Sequence, residues 1–314
     1  MANVQDLRTR IRSVKSTQQI TRAMKLVSAS KLRRAQDRIM AARPYARKMR
    51  DVLSSLAVRA NPDRHPLLAR RPGDRAIVVV ITADKGLCGS FNTNILNGAR
   101  RFLDGMRDRD VGVDIVGKKA RDWFRRRDYT VRRTLIDLFR SLSLEQSREI
   151  ASDLIRAFTA AECDAVHLVY NEFKSAIQQQ VVVEQLLPIP RDTFGHDAFR
   201  GAASVGAPTT APGGDAQGAG NGAGPAAPDE DYIYEPGDRQ LFETLLPKHV
   251  EIQVYRALLE SSAAEQGARM NAMANATRNA EEMIGSLTLQ MNKIRQAAIT
   301  KEILEVVSGA EALR

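Results

Sequence analysis

Two stretches of the 314-residue chain carry residue types at spacings that suggest chemistry. Gly112-Val113-Asp114-Ile115-Val116-Gly117-Lys118-Lys119 nearly meets the phosphate-loop spacing, in which glycine-freed amides and a lysine surround phosphate and a following hydroxyl holds magnesium. That hydroxyl is missing, because Lys119 stands in its place, and the four residues between the glycines are strand formers. The stretch reads instead as a strand ending at Gly117 before a basic helix. Asp84-Lys85-Gly86-Leu87-Cys88-Gly89-Ser90-Phe91-Asn92 follows a buried strand, where open α/β sheets place functional loops. A nucleophilic Cys88 needs a base, and His65, His167, His196 and His249 are scattered without a context that sets any of them beside it. Glycines that permit a tight turn, with Ser90 or Asn92 capping the next helix, account for the loop structurally and leave a protein contact open. Cys88 and Cys163 lie far apart with no metal-type spacing, as suits a reducing compartment. No residue is assigned to catalysis, to a cofactor or to a metal.

Charge is unevenly spread. Residues 1–60 hold fifteen Lys/Arg against Asp6, Asp37 and Asp51, about +12, whereas the whole chain totals +10. Such a stretch suits nucleic-acid phosphates, anionic lipid or an acidic protein surface, and charge alone does not choose among them. Tyr45 is the single aromatic there, which argues against stacking on single strands. No run approaches the roughly twenty apolar residues that span a bilayer, and Met1-Ala2-Asn3-Val4-Gln5-Asp6 has no secretory pattern. Any membrane link is therefore expected through a partner.

The elements that position these groups follow from periodicity. Val4, Leu7, Ile11 and Val14, then Leu32, Ala35, Ile39, Ala42, Ala46, Met49, Leu53 and Leu56, keep one coiled-coil register, predicting a helix over 1–60 with a kink at Pro44. Between these runs the register falls on Gln18, Thr21, Lys25 and Ser28, while Ile20, Met24 and Val27 line a neighbouring face, so the seam is expected to break. A helix over 238–312 repeats Met270, Met273, Ala280, Ile284, Leu287, Met291, Ile294 and Ala298. Each stripe would otherwise leave an apolar seam in water, so the two ends should pair antiparallel.

Over 74–194 the period changes. Strands are predicted at 76–81, 111–116, 165–170 and 179–187, alternating with helices at 91–107, 118–127 and 144–161, so a mostly parallel α/β sheet of Rossmann-like type is expected. Residues 195–230 are dominated by Gly, Ala and Pro and are expected to form a disordered insertion. Three functions use these parts differently: a coupling protein built on both termini, a nucleic-acid-binding coiled coil, and a phosphate-handling enzyme on the middle domain.

Ile11-Arg12-Ser13-Val14-Lys15-Ser16-Thr17-Gln18-Gln19-Ile20-Thr21-Arg22-Ala23-Met24-Lys25-Leu26-Val27-Ser28 closely resembles the gamma subunit family of rotary F-type ATP synthases. Ile299-Thr300-Lys301-Glu302-Ile303-Leu304-Glu305-Val306-Val307-Ser308-Gly309-Ala310-Glu311 is similar to that family's C-terminal signature, and Ala268-Arg269-Met270-Asn271-Ala272-Met273 to the approach to it. Asp84-Lys85-Gly86-Leu87-Cys88-Gly89 is similar to its loop after the first strand. The matching stretches stand in order over nearly the whole chain, apart from the 195–230 run.

The resemblance implies a non-catalytic central rotor shaft without cofactor. Its paired helices would run up a ring of alpha and beta subunits, and its α/β domain would sit with epsilon on the membrane c-ring. Ion-driven rotation would then cycle the ring's sites for ATP synthesis, or hydrolysis in reverse. Met24 and Lys25 match the family's Met-Lys pair at an acidic loop of beta, while Arg269, Gln296, Thr300, Glu302 and Glu305 match positions tied to that contact or to coupling. The expected setting is the cytoplasmic face of a bacterial plasma membrane, with neither nucleic acid bound nor direct insertion into the bilayer.

Overall fold

A computed structural model describes residues 4–59, 65–176, 178–190 and 237–311; the insertion expected over 195–230 lies outside the described residues. Two long helices, α1 (Val4–Arg59) and α5 (Asp238–Glu311), enclose in sequence an α/β unit. Helix α1 continues through Pro44, and α5 begins ten residues before the proline-free stretch over 248–312, carrying Pro247 inside it.

The two helices are antiparallel. Low residues of α1 meet high residues of α5, as where Thr21 Oγ1 lies 2.8 Å from Thr277 Oγ1. Further along, Leu32 and Ala35 cluster with Ala263 and Met270, and Met49, Leu53 and Leu56 with Leu246, Val250 and Val254. The expected break in the seam is partial: Lys25, at a register position, is exposed. Thr21 and Ser28 of the same register are buried, Thr21 with its hydroxyl against that of Thr277 on the facing helix. The apolar residues Ile20, Leu26 and Val27 are the exposed ones.

The sheet has the order β3-β2-β1-β4-β5. Strands β1 (Arg75–Ile81), β2 (Asp110–Val116), β3 (Thr130–Leu135) and β4 (Ala165–Phe173) are parallel, and β5 (Gln179–Leu187) runs antiparallel to β4. Helices α2 (Phe91–Asp104), α3 (Lys118–Phe124) and α4 (Leu144–Thr159) connect them and end two or three residues short of the expected limits. Strand β3 was not anticipated, because Thr130-Val131-Arg132-Arg133-Thr134-Leu135 has no apolar run. Its charges are satisfied across the sheet edge: Arg132 donates to Asp114 at 2.9 and 2.6 Å and to Asp153 at 2.6 Å.

Alternate residues of β1 feed two cores. Val78 and Val80 pack with Phe91, Ile95 and Phe124 of α2 and α3. Ile77, Val79 and Ile81 pack with Leu154 and Phe158 of α4, and this same core contains Leu53 of α1 and Val254 and Leu258 of α5. The root of the helical pair is thus a layer of the α/β unit, so the two parts share one buried interior. Residues 112–116 lie in the sheet ladder, so their amides are paired there. Gly117 has φ 96°, and a Cβ there would sit 2.2 Å from the Thr82 carbonyl oxygen, which makes glycine necessary for closing the strand end.

Candidate coupling surface

The loop after β1 is held from both sides. Asp84 Oδ1 accepts from the amides of Lys118 and Asp137, each at 3.1 Å, tying together the ends of β1, β2 and β3. Asn92 Oδ1 accepts from the Ala83 amide at 3.0 Å. Neither expected capping side chain bonds a backbone amide of the first turn of α2: Ser90 occupies the cap position and accepts only from the Asn94 side chain, and Asn92 reaches back toward the strand. The Cys88 thiol is buried, receives a hydrogen bond from Asn92 Nδ2 at 3.1 Å, and is pushed up in pKa by that burial, the reverse of an activated nucleophile. Burial also pushes the Cys163 thiol up to about 11.

On the shaft side the loop meets Arg269. Its Nη2 donates to Glu265 Oε1 at 2.5 Å and to the carbonyl oxygen of Gly86 at 3.2 Å, with that of Lys85 at 3.5 Å. Arg269 is only 8% exposed, so it acts within the chain as a clip between α5 and the loop. Nearby, Asn271 Nδ2 donates to the Ala176 carbonyl at 2.6 Å, and Gly267 lets that carbonyl approach to 3.3 Å of where a Cβ would stand. The clip leaves Leu87 at the apex with φ 62° and the residue 64% exposed. Glu265, which satisfies the guanidinium, was not singled out in sequence; an i,i+4 Glu-Arg pair is an ordinary surface pattern, and only its burial makes it distinctive.

The remaining expected coupling residues fall on two levels. Met24 is half-buried and Lys25 exposed, on the stretch of α1 that includes exposed Ile20, Leu26 and Val27. They face the level of Met273, one turn from Arg269, by the Thr21–Thr277 register. Gln296, Thr300, Glu302 and Glu305 are all exposed near the far end of α5. From the Thr21–Thr277 contact, α1 has 17 residues left to Val4 and α5 has 34 left to Glu311. The final part of α5, on the order of 25 Å at about 1.5 Å per residue, therefore outruns the described part of α1. Residues 295–309 are exposed throughout, and Ile299, Ile303 and Val306 form a solvent-facing apolar stripe at spacings of four and three. Within this tip, Thr300 Oγ1 donates to the Gln296 carbonyl at 2.9 Å and Lys301 Nζ lies 3.5 Å from Glu305 Oε1. The structure so gathers Met24, Lys25 and Arg269 at one height and sets the other four on the order of 40 Å above them.

The described residues form an asymmetric two-helix shaft, rooted in an α/β base and ending in a single helix, the architecture of a protein that presents a long contact surface. A family profile described as ATP synthase matches residues 3–313. The chain is 49% identical over 319 residues to the ATP synthase gamma chain of Anaeromyxobacter sp. (strain Fw109-5), and 46% identical over 313 residues to that of Heliobacterium modesticaldum, covering all of both chains in each case. Among solved structures it is similar to a chain of the Tetrahymena thermophila mitochondrial ATP synthase central stalk and c-ring, at 26% identity and TM-score 0.55, covering 82% of this chain and 99% of that one. A chain of the Euglena gracilis mitochondrial ATP synthase in rotational state 3 has the same fold, with TM-score 0.63 at 22% identity over 99% of this chain and 94% of that one. The chain belongs to the ATP synthase gamma chain family. It is a non-catalytic rotor shaft.

Proposed function

We propose that the upper shaft turns inside a ring of alpha and beta subunits while the α/β base rides with epsilon on the membrane c-ring, on the cytoplasmic side of a bacterial plasma membrane. One observation carries this reading: a paired shaft narrows to a bare helix whose apolar stripe, Ile299, Ile303 and Val306, faces solvent. Such a stripe is buried by something that surrounds the tip. Lys25 supplies a point charge, and the exposed Ile20 and Val27 an apolar contact, to an acidic loop of a beta subunit. Gln296, Thr300, Glu302 and Glu305 read the ring at the tip, and Arg269 positions the Leu87 loop. Because the shaft is asymmetric, each site of the ring meets a different face, and unequal contacts shift each between conformations of unequal nucleotide affinity.

ATP hydrolysis by the purified chain, by matching alpha and beta subunits, and by all three together tests the assembly. Activity that depends on a stable three-component complex is expected; turnover by the chain alone, or no assembly, overturns the reading. Met24→Lys adds a second positive charge beside Lys25 and is expected to impair coupling of hydrolysis to ion pumping while leaving the thermal midpoint nearly unchanged. Intact coupling in that variant removes Met24 from the contact.

A further inference from the structure

Where α5 passes β4 and β5, Arg256 reaches across to the sheet. Its Nη2 donates to both oxygens of Glu184 on β5, at 2.7 and 2.6 Å, and the Tyr170 hydroxyl of β4 donates to Glu184 Oε2 at 2.8 Å. A second carboxylate, Glu260, lies one turn further along α5 with its side chain 16% exposed. Its Oε1 is 4.0 Å from Arg256 Nε, too far for a hydrogen bond, and its Oε2 is buried without a partner among the described residues. Gln253 Oε1, Arg256 Nε and Ser261 Oγ on the same two turns are also buried and unpartnered.

The charges around Glu260 do not balance. Arg256 on its own helix is committed to Glu184; Glu184 of β5 and Glu172 of β4 present like charge; Arg43 of α1 acts at a distance, its Nη1 resting on Met40 Sδ at 3.3 Å. One guanidinium thus serves the hydrogen bonds of one carboxylate and leaves its neighbour desolvated. The cheapest way to keep a buried carboxyl that lacks hydrogen bonds is to protonate it.

We propose that Glu260 is a proton-controlled latch at the joint between shaft and α/β base: neutral, it stays seated and holds α5 against β4 and β5; ionised, it seeks water and loosens them. Burial pushes its carboxyl up to about 7, Arg256 opposing and Glu172 and Glu184 adding to the rise. A carboxyl raised in the folded state from its ordinary 4.5 withdraws stability as pH climbs from there through about 7. The effect of the latch on torque rests on the shaft reading. The latch itself does not, so the full chain alone suffices to test it.

Thermal midpoints and amide exchange of the wild-type chain and Glu260→Gln are measured from pH 5 to 8. The difference between the two isolates Glu260, because the other buried groups titrate in both. Glu260→Gln is expected to gain several degrees on the wild type as pH rises to 8. Amides of β5 in the wild type, corrected for intrinsic exchange, are expected to open roughly fivefold more at pH 8 than at pH 6. The second measurement needs no variant and stands if Glu260→Gln fails to fold. A pH-independent difference between the proteins, or wild-type β5 protection that is equal at both pH values, overturns the latch.

Discussion

One helix holds two sharply dissimilar environments. In the root of α5, Leu246, Val250, Ala257, Leu258, Ala263 and Ala264 have no exposed surface, packed among α1, α4 and the sheet, whereas every residue from 295 to 309 is exposed. The root is helical because burial of its faces holds it so. The tip has only intrinsic propensity and local pairs such as Lys301–Glu305. The contrast separates two tasks along one backbone: the root fixes angle and height, and the tip offers side chains to another surface.

That separation breaks most sharply at Arg269. Its replacement by Ala strands Glu265 in a buried site and is expected to cost about 3–5 kcal/mol in chemical denaturation of the full chain, with Arg269→Lys recovering only part. An equal stability in Arg269→Ala would remove the clip. Leu258→Ala opens a cavity in the shared core and should cost about 2–5 kcal/mol in the same measurement, with loss of the sheet and the helical pair in one transition if they share an interior. His249, buried at the root, is held down to about 4 by burial, with Arg50 and Arg256 adding to the effect. The unfolded chain takes up that proton below about 6.5, so stability due to His249 is complete above 6.5 and is lost as pH falls toward 4. His249→Leu should therefore flatten the acid side of the stability curve by roughly 3 kcal/mol. At the tip, Leu304→Ser should shift stability by no more than about 0.5 kcal/mol, yet reduce ATP synthesis in the assembled complex. A large loss of stability from Leu304→Ser would show that the tip packs on its own chain.

Much of this division is readable in the sequence. The heptad stripes of α1 and α5, the Val-rich strand β1 and the alternation over 91–187 announce their elements, because each repeats the period of the structure it forms. Strand β3 does not, since its inward arginines are tolerable only beside Asp114 and Asp153, which are remote in the chain. The stretch over 18–28 is half legible: its polar register leaves Lys25 in solvent, but nothing local shows that Thr21 and Ser28 are buried, Thr21 against Thr277. The tip residues are visible as a motif, but that they outrun α1 depends on the pairing register. The joint at Arg256, Glu184, Tyr170 and Glu260 has no local signature at all, because its members come from three elements brought together by the sheet order.

The length by which α5 exceeds α1 also orders events in time. A single helix of some fifteen residues is marginal in water, since nucleation is costly and no neighbouring face repays it. The root can form as soon as the α/β base folds, but the tip holds its shape fully only once another protein closes around it. Chain entropy thereby makes the last 25 Å or so of the shaft the final part to set, shaped by the bearing that it enters.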